Sequence, residues 1–159
     1  ATLEAGSVFL VGDTQGTLGG GAFSRIITPG AEHNPGDYVP LKEKDFMERA
    51  LKTVRKEAAA AGRAIAGGGL MTSLAKMCIK ADIGIGLDSA VLDSDPECLF
   101  GEWGPRAVYL VPERSTELFL SCWEGFPVRR IGEITPGGLT LDGHEMLPEE
   151  TRAEKAGRK

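Results

Sequence analysis

The sequence predicts a layered α/β or α+β domain. Three observations lead there. Continuous apolar runs end in turn signals ("SVFLVGD", Ser7 to Asp13, and "RAVYLVP", Arg106 to Pro112), as strands covered on both faces do. Stretches with apolar residues at helical spacing alternate with those runs. Two closing strand-like stretches then follow each other across the turn "TPGG".

The elements follow in chain order. Ser7 to Asp13 opens as a buried strand, and a glycine-rich loop follows it through Gly21. Pro and Gly punctuate Pro29 to Pro40, which must be loop. "LKEKDFMERALKTVRKEAAAAG" is the strongest helix, with Phe46, Met47, Ala50, Leu51, Val54, Ala58 and Ala61 at helical spacing and Gly62 as its stop. Its charges read as a solvated helix face. "RAIAGG" is short and strand-like. A second helix is expected from about Leu70 to Lys80, burying Leu70, Leu74, Met77 and Cys78. "IGIGLD" (Ile83 to Asp88) reads as a strand, and "DPECLFGEW" opens with an Asp–Pro helix signal. Strand "RAVYLVP", helix "ERSTELFLSCWEGF" and strands "PVRRIGEI" and "GLTLDG" complete the order.

The 159 residues suffice for one domain with a core. We expect that domain over residues 1–146, with 147–159 a flexible basic tail. The net charge of −5, without a long basic stripe, excludes general nucleic-acid affinity. No apolar run reaches the ~18 residues of a membrane span, and the first residues lack the features of a signal peptide. No membrane partner is expected, and the expected location is cytoplasmic. Cys78, Cys98 and Cys122 form no CxxC pair and are expected as reduced, mostly buried thiols. His33 and His144 share no ligand spacing with them and read as surface loop residues, so no metal site is expected.

Glycine is abundant, at 22 of 159 residues, and it is clustered. "LGGGAF" (Leu18 to Phe23) follows the first strand, and "GRAIAGGGLMTSLAKM" (Gly62 to Met77) places three glycines at the mouth of the second helix. Neither carries the GK of a Walker loop, and "GIGLDS" ends in Ser89 where a dinucleotide fingerprint needs Gly. Two readings stay open for the clusters. Free N–H groups and the helix dipole would favour an anion, or the glycines serve tight turns only. Asp88, Asp93 and Asp95 lack the spacing of a calcium loop and read as a polar turn. Ser24, Ser73 and Ser121 have no nucleophile-elbow context, so no catalytic residue is named.

Four segments in order carry a resemblance. "FLVGDTQGTLGGGAF" resembles the opening of the C-terminal domain of phosphoribosylformylglycinamidine synthase, a member of the aminoimidazole ribonucleotide synthetase superfamily. "GRAIAGGGLMTSLAKMCIKADIGIGLD" is similar to the family's H-D-x-S-[DE]-G-G-L stretch with its helix and strand. "CLFGEWGPRAVYLVP" is similar to its L-F-x-E-x-x-x-R segment, and "VRRIGEITPGGLTLDG" to its closing strands. The resemblance implies an α+β fold with helices packed on a mixed sheet. It implies part of an ATP-dependent carbon–nitrogen ligase of purine biosynthesis that turns an amide into an amidine. The complete enzyme would use ATP and magnesium, take a phosphorylated small molecule, and pair this domain with an N-terminal ATP-binding domain. The residues here correspond to the C-terminal domain alone. The isolated chain is therefore expected to be inactive, to need no cofactor, and to be able to form a homodimer through an uncovered face.

Where the family has His, Asp, Ser and a second acidic residue, this sequence has Arg63, Ala64, Ala66 and Gly67, while Gly68, Gly69 and Leu70 are kept. The Ser of the family's LGGS falls on Gly21, after Leu18, Gly19 and Gly20. The resemblance thus places a substrate or phosphate site at Gly19, Gly20, Gly21, Arg63, Gly67, Gly68 and Gly69, with its backbone turns kept and its polar side chains replaced. An alternative is a non-catalytic member acting as a binding or assembly module.

Overall fold

A computed structural model describes residues 5–13, 17–29, 39–92 and 95–147. Seven strands form one sheet: β1 (Gly6–Val11), β2 (Ala61–Ala64), β3 (Gly84–Leu87), β4 (Ala107–Pro112), β5 (Val128–Thr135), β6 (Leu139–Leu141) and β7 (His144–Glu145). Their order is β2-β4-β1-β5-β3-β6-β7. Every pairing is antiparallel except β3 with β6, so the sheet is mixed, as the family resemblance implies. Among the described residues five α-helices accompany it: α1 (Ala22–Ile27), α2 (Pro40–Arg55), α3 (Gly69–Ala81), α4 (Pro96–Phe100) and α5 (Thr116–Cys122).

The unbroken apolar runs of β1 and β4 follow from their central position. Successive side chains point to opposite faces, and both faces are covered. Val8 and Leu10, with Val108 and Leu110, join Leu70, Leu74 and Cys78 of α3 in one core. Phe9 and Val11, with Tyr109 and Val111, join Phe119, Cys122 and Trp123 in the other. This second core is aromatic: Phe119 lies 5.1 Å from Phe9 and 5.3 Å from Tyr109, and Phe46 of α2 lies 5.3 Å from Trp123. Fully burying one such side chain contributes about 1.5–3 kcal/mol. Burial of the Tyr109 hydroxyl pushes its pKa up to about 12.

The second helix, Gly69–Ala81, lies within one residue of its expected ends. The strongest sequence helix differs more. It stops at Arg55, because the chain turns at Lys56 and Glu57, where Glu57 takes a φ of 51°. Ala58 is buried outside the helix, and Ala60 donates its N–H to the Leu110 carbonyl (2.9 Å). Gly62 is therefore not a helix stop but a residue of the edge strand β2, which starts at Ala61.

The buried side of α2 also differs from the apolar stripe. Phe46 and Ala50 pack on the aromatic core and Thr53 is buried, while Met47, Leu51 and Val54 are exposed. Polar contacts accompany this rotation. Arg49 donates to the Glu124 carbonyl (2.6 Å) and lies over the Phe126 ring, and Lys52 donates to the Ser121 carbonyl (3.2 Å). Helix α1 and strand β7 are short elements that periodicity did not show.

All three cysteines are buried, and none is in a disulfide. A thiol reagent is expected to label none of them in the native chain and all of them after denaturation. Rapid labelling of any one under native conditions would contradict that burial. His144 is exposed in β7, and His33 and Asp93 lie outside the described residues. So does all but the first residue of the expected tail. Asp95 caps α4 by accepting from the Glu97 N–H (3.1 Å), and Asp88 accepts from the Ala90 N–H (2.8 Å), as residues of a polar turn do.

Candidate functional site

Three loops meet at one end of the sheet. Residues 17–21 lead into α1, residues 65–68 join β2 to α3, and residues 101–106 join α4 to β4. The Ile65 N–H donates to the Arg106 carbonyl (2.9 Å), which fixes the second loop to the third. Phe23 of α1 stacks on Phe100 of α4 with ring centroids 5.0 Å apart, which fixes the first to the third.

Glu102 stands where the loops converge. Its Oε1 accepts from the Ala22 N–H at 2.6 Å and from the Gly68 N–H at 2.9 Å. The first donor opens α1 directly after Gly21, and the second belongs to the residue that caps α3. The two glycine clusters thus hold one carboxylate between them. These hydrogen bonds, Ala22 first and Gly68 second, hold the Glu102 carboxyl below the usual carboxylate range, with a smaller contribution from the Arg25 guanidinium. Arg25 itself donates to the Gly20 carbonyl (2.9 Å).

Backbone geometry shows why glycine is needed here. Gly68 and Gly69 have φ of 87° and 73°, in the left-handed region that other residues enter at a cost. A Cβ on Gly69 would lie 2.5 Å from the backbone of Phe100. The α3 helix can therefore reach the 101–106 loop only with glycine at its first position.

The loop that carries Glu102 is built around Arg106, which is 2% exposed. Its guanidinium donates to the Cys98 carbonyl (3.1 Å) and to the Gly101 carbonyl, closing the end of α4. Burial pulls its pKa below the usual range, and Cys98 and Asp13 act in the opposite direction.

Of the residues expected at the site, Gly20 and Gly21 border α1, and Gly68 and Gly69 form the turn into α3. Gly19 precedes them, its N–H bonded to Thr17 Oγ1 (3.0 Å), and Gly67 is exposed. Arg63 lies elsewhere in its surroundings: it lines a groove between α2 and β2 with Phe46, Val54 and Tyr109. Glu102 and Arg106 were not singled out as site residues. Their signal was present, since both stand at the named positions of the L-F-x-E-x-x-x-R segment while the neighbouring motif has lost its polar residues. No group of three or more His, Cys, Asp or Glu residues among those described could hold a metal ion.

A mixed sheet with helices on both faces and two glycine loops facing an L-F-x-E-x-x-x-R loop define a synthetase-type C-terminal domain. The chain belongs to the family described as AIR synthase related protein, C-terminal domain, which matches residues 4–144. It is 35% identical over 141 residues to phosphoribosylformylglycinamidine synthase subunit PurL of Thermobifida fusca, covering 84% of this chain and 18% of that protein. Its fold is that of T. maritima PurL complexed with FGAR, at a TM-score of 0.72 and 16% identity, covering 92% of this chain and 27% of that one. T. maritima PurL complexed with ATP gives a TM-score of 0.66 at 17% identity, covering 96% and 26%. The chain thus spans about a fifth of the length of the curated PurL relative, 18% in the Thermobifida protein. No described helix is long and apolar enough to cross a membrane.

Proposed function

We propose that this chain is the C-terminal domain of an ATP-dependent, amidine-forming ligase of the phosphoribosylformylglycinamidine synthase type. In this reading it forms one wall of the substrate cleft, and an N-terminal ATP-binding domain forms the other. Its glycine loops would meet the phosphate of the substrate through backbone N–H groups. The observation that carries this is the convergence of three family segments on one point, Gly20 to Ala22 and Gly68 around Glu102. The PurL relatives support it by sequence, and T. maritima PurL was solved in one structure with FGAR and in another with ATP.

The chemistry would come from outside these residues. Magnesium takes carboxylate and phosphate oxygens, and the family's acidic positions hold Ala64 and Gly67 here. ATP and magnesium would therefore be held by the rest of the enzyme, with the isolated chain inactive and located in the cytoplasm. The same replacements favour a second reading, a member that keeps the fold as a binding or assembly module, with self-association into a homodimer as one form of it.

Titration of the ¹⁵N-labelled chain with FGAR, and separately with ATP and magnesium, tests the first reading. FGAR is expected to shift the amides of Gly19 to Ala22 and Gly67 to Gly69, weakly and more than ATP does. FGAR-dependent shifts absent from both loops would overturn the substrate-wall reading and leave the module.

A further inference from the structure

We propose that the outer face of α2 is a self-association surface: two copies of this chain pair there antiparallel, around a two-fold axis close to Leu51. This pairing rests on the homodimer form of the second reading and not on what the glycine loops bind, since α2 packs into the aromatic core and α3 into the other.

Met47, Leu51 and Val54 are 67%, 47% and 70% exposed. Apolar residues scattered singly over a surface need no explanation. These three stand at i, i+4 and i+7, so they form one continuous seam along α2. The opposite side of the helix, with Phe46 and Ala50, packs on the aromatic core. Lys44 extends the seam toward the helix start with its aliphatic stem.

The charges beside the seam decide what covers it. Glu48 and Arg55 are both exposed. Each follows a seam residue by one position, so they lie on the same flank, seven residues apart. In an antiparallel pair such positions meet their like on the facing helix. Glu48 of one copy then lies beside Arg55 of the other, and the two-fold repeats the contact. The same register sets Leu51 against Leu51 and Val54 of the second copy, and Met47 against its last helical turn. A parallel pair would instead bring Glu43 against Glu48, two like charges. The seam is thus complementary to itself in one orientation. The overlap is about two and a half turns, less than the ~800 Å² per partner of a stable interface, so the pairing depends on concentration.

Sedimentation equilibrium of the full chain, from about 10 µM to about 500 µM at physiological ionic strength, tests this. A monomer–dimer equilibrium is expected within that range. Leu51→Asp is expected to weaken it more than about ten-fold, because pairing would bury an unpaired charge. Glu48→Arg and Arg55→Glu are each expected to weaken it about three- to ten-fold. An equimolar mixture of those two variants is expected to associate more tightly than either alone, since only the mixed pair restores opposite charges. All three positions are exposed, and urea midpoints near that of the wild type would show that the variants are folded; should one fail to fold, the remaining variants decide by the same comparison. A chain monomeric throughout, a dimer that Leu51→Asp leaves unchanged, or a mixture no tighter than its components would overturn the pairing. FGAR-dependent shifts at the glycine loops are expected to be the same in Leu51→Asp as in the wild type, so failure of the pairing and failure of the substrate-wall reading are separate results.

Discussion

Gly69→Val is expected to destabilise the domain by about 3–5 kcal/mol, from backbone strain and overpacking together. Gly69 has a φ of 73°, and a Cβ there would lie 2.5 Å from the Cα and carbonyl carbon of Phe100 and 2.8 Å from the Leu99 oxygen. Those are backbone atoms, held by the end of α4, and they cannot rotate away. A β-branched side chain would force α3 from the 101–106 loop and strip Leu70, which is fully buried, from the core. Gly67 supplies the control two positions away. A Cβ there meets nothing within 4 Å, and Gly67→Val is expected to stay within about 0.5 kcal/mol of the wild type. Urea denaturation of both variants measures the difference. Coincident midpoints would mean that the cluster is no structural constraint.

Arg106→Met is the other large effect, at about 2–4 kcal/mol. The substitution keeps much of the volume but removes the donors to the Cys98 and Gly101 carbonyls at the buried end of α4. Arg106→Lys is not expected to rescue it, because a single ammonium cannot reproduce the planar fork that reaches both carbonyls. Beyond stability, the loop bearing Glu102 loses its anchor. Amide exchange at Gly68 is therefore expected to accelerate in Arg106→Met more than exchange in β1 does. A midpoint unchanged from the wild type would show that the buried guanidinium contributes little.

The strands and the α3 helix were legible because one physical rule governed each. β1 and β4 are covered on both faces, so their residues are apolar without alternation, and the run marks them directly. Gly69–Ala81 buries a single face and shows helical spacing. The same rule misplaced α2, whose buried side is the one where Phe46 and Ala50 pack on the aromatic core, while Arg49 and Lys52 reach the Glu124 and Ser121 carbonyls, partners far away in the chain. Its early end depends on Ala60 joining β4 through Leu110, again a long-range contact. At the site, the glycines were legible as turns, and positive φ at Gly20, Gly68 and Gly69 confirms that need. What they enclose was not, because the partner of both loops lies in a third segment. Only the fold brings Glu102 between Ala22 and Gly68.

The joining of the two loops by one carboxylate is tested most directly by following the Ala22 and Gly68 amides as the chain is taken from neutral to acid pH. Glu102 is held below its ordinary 4.5 in the folded state, so the folded chain binds fewer protons than the unfolded one across that interval. Its contribution to stability is accordingly present above 4.5 and lost as pH falls through the lowered value. Arg25 is the charged group that acts on it. Both amides are expected to shift together, with one shared midpoint below 4.5, and neither is expected to show that titration in Glu102→Gln. Separate midpoints for the two amides, or a shared titration that persists in Glu102→Gln, would contradict the convergence of the glycine loops on Glu102.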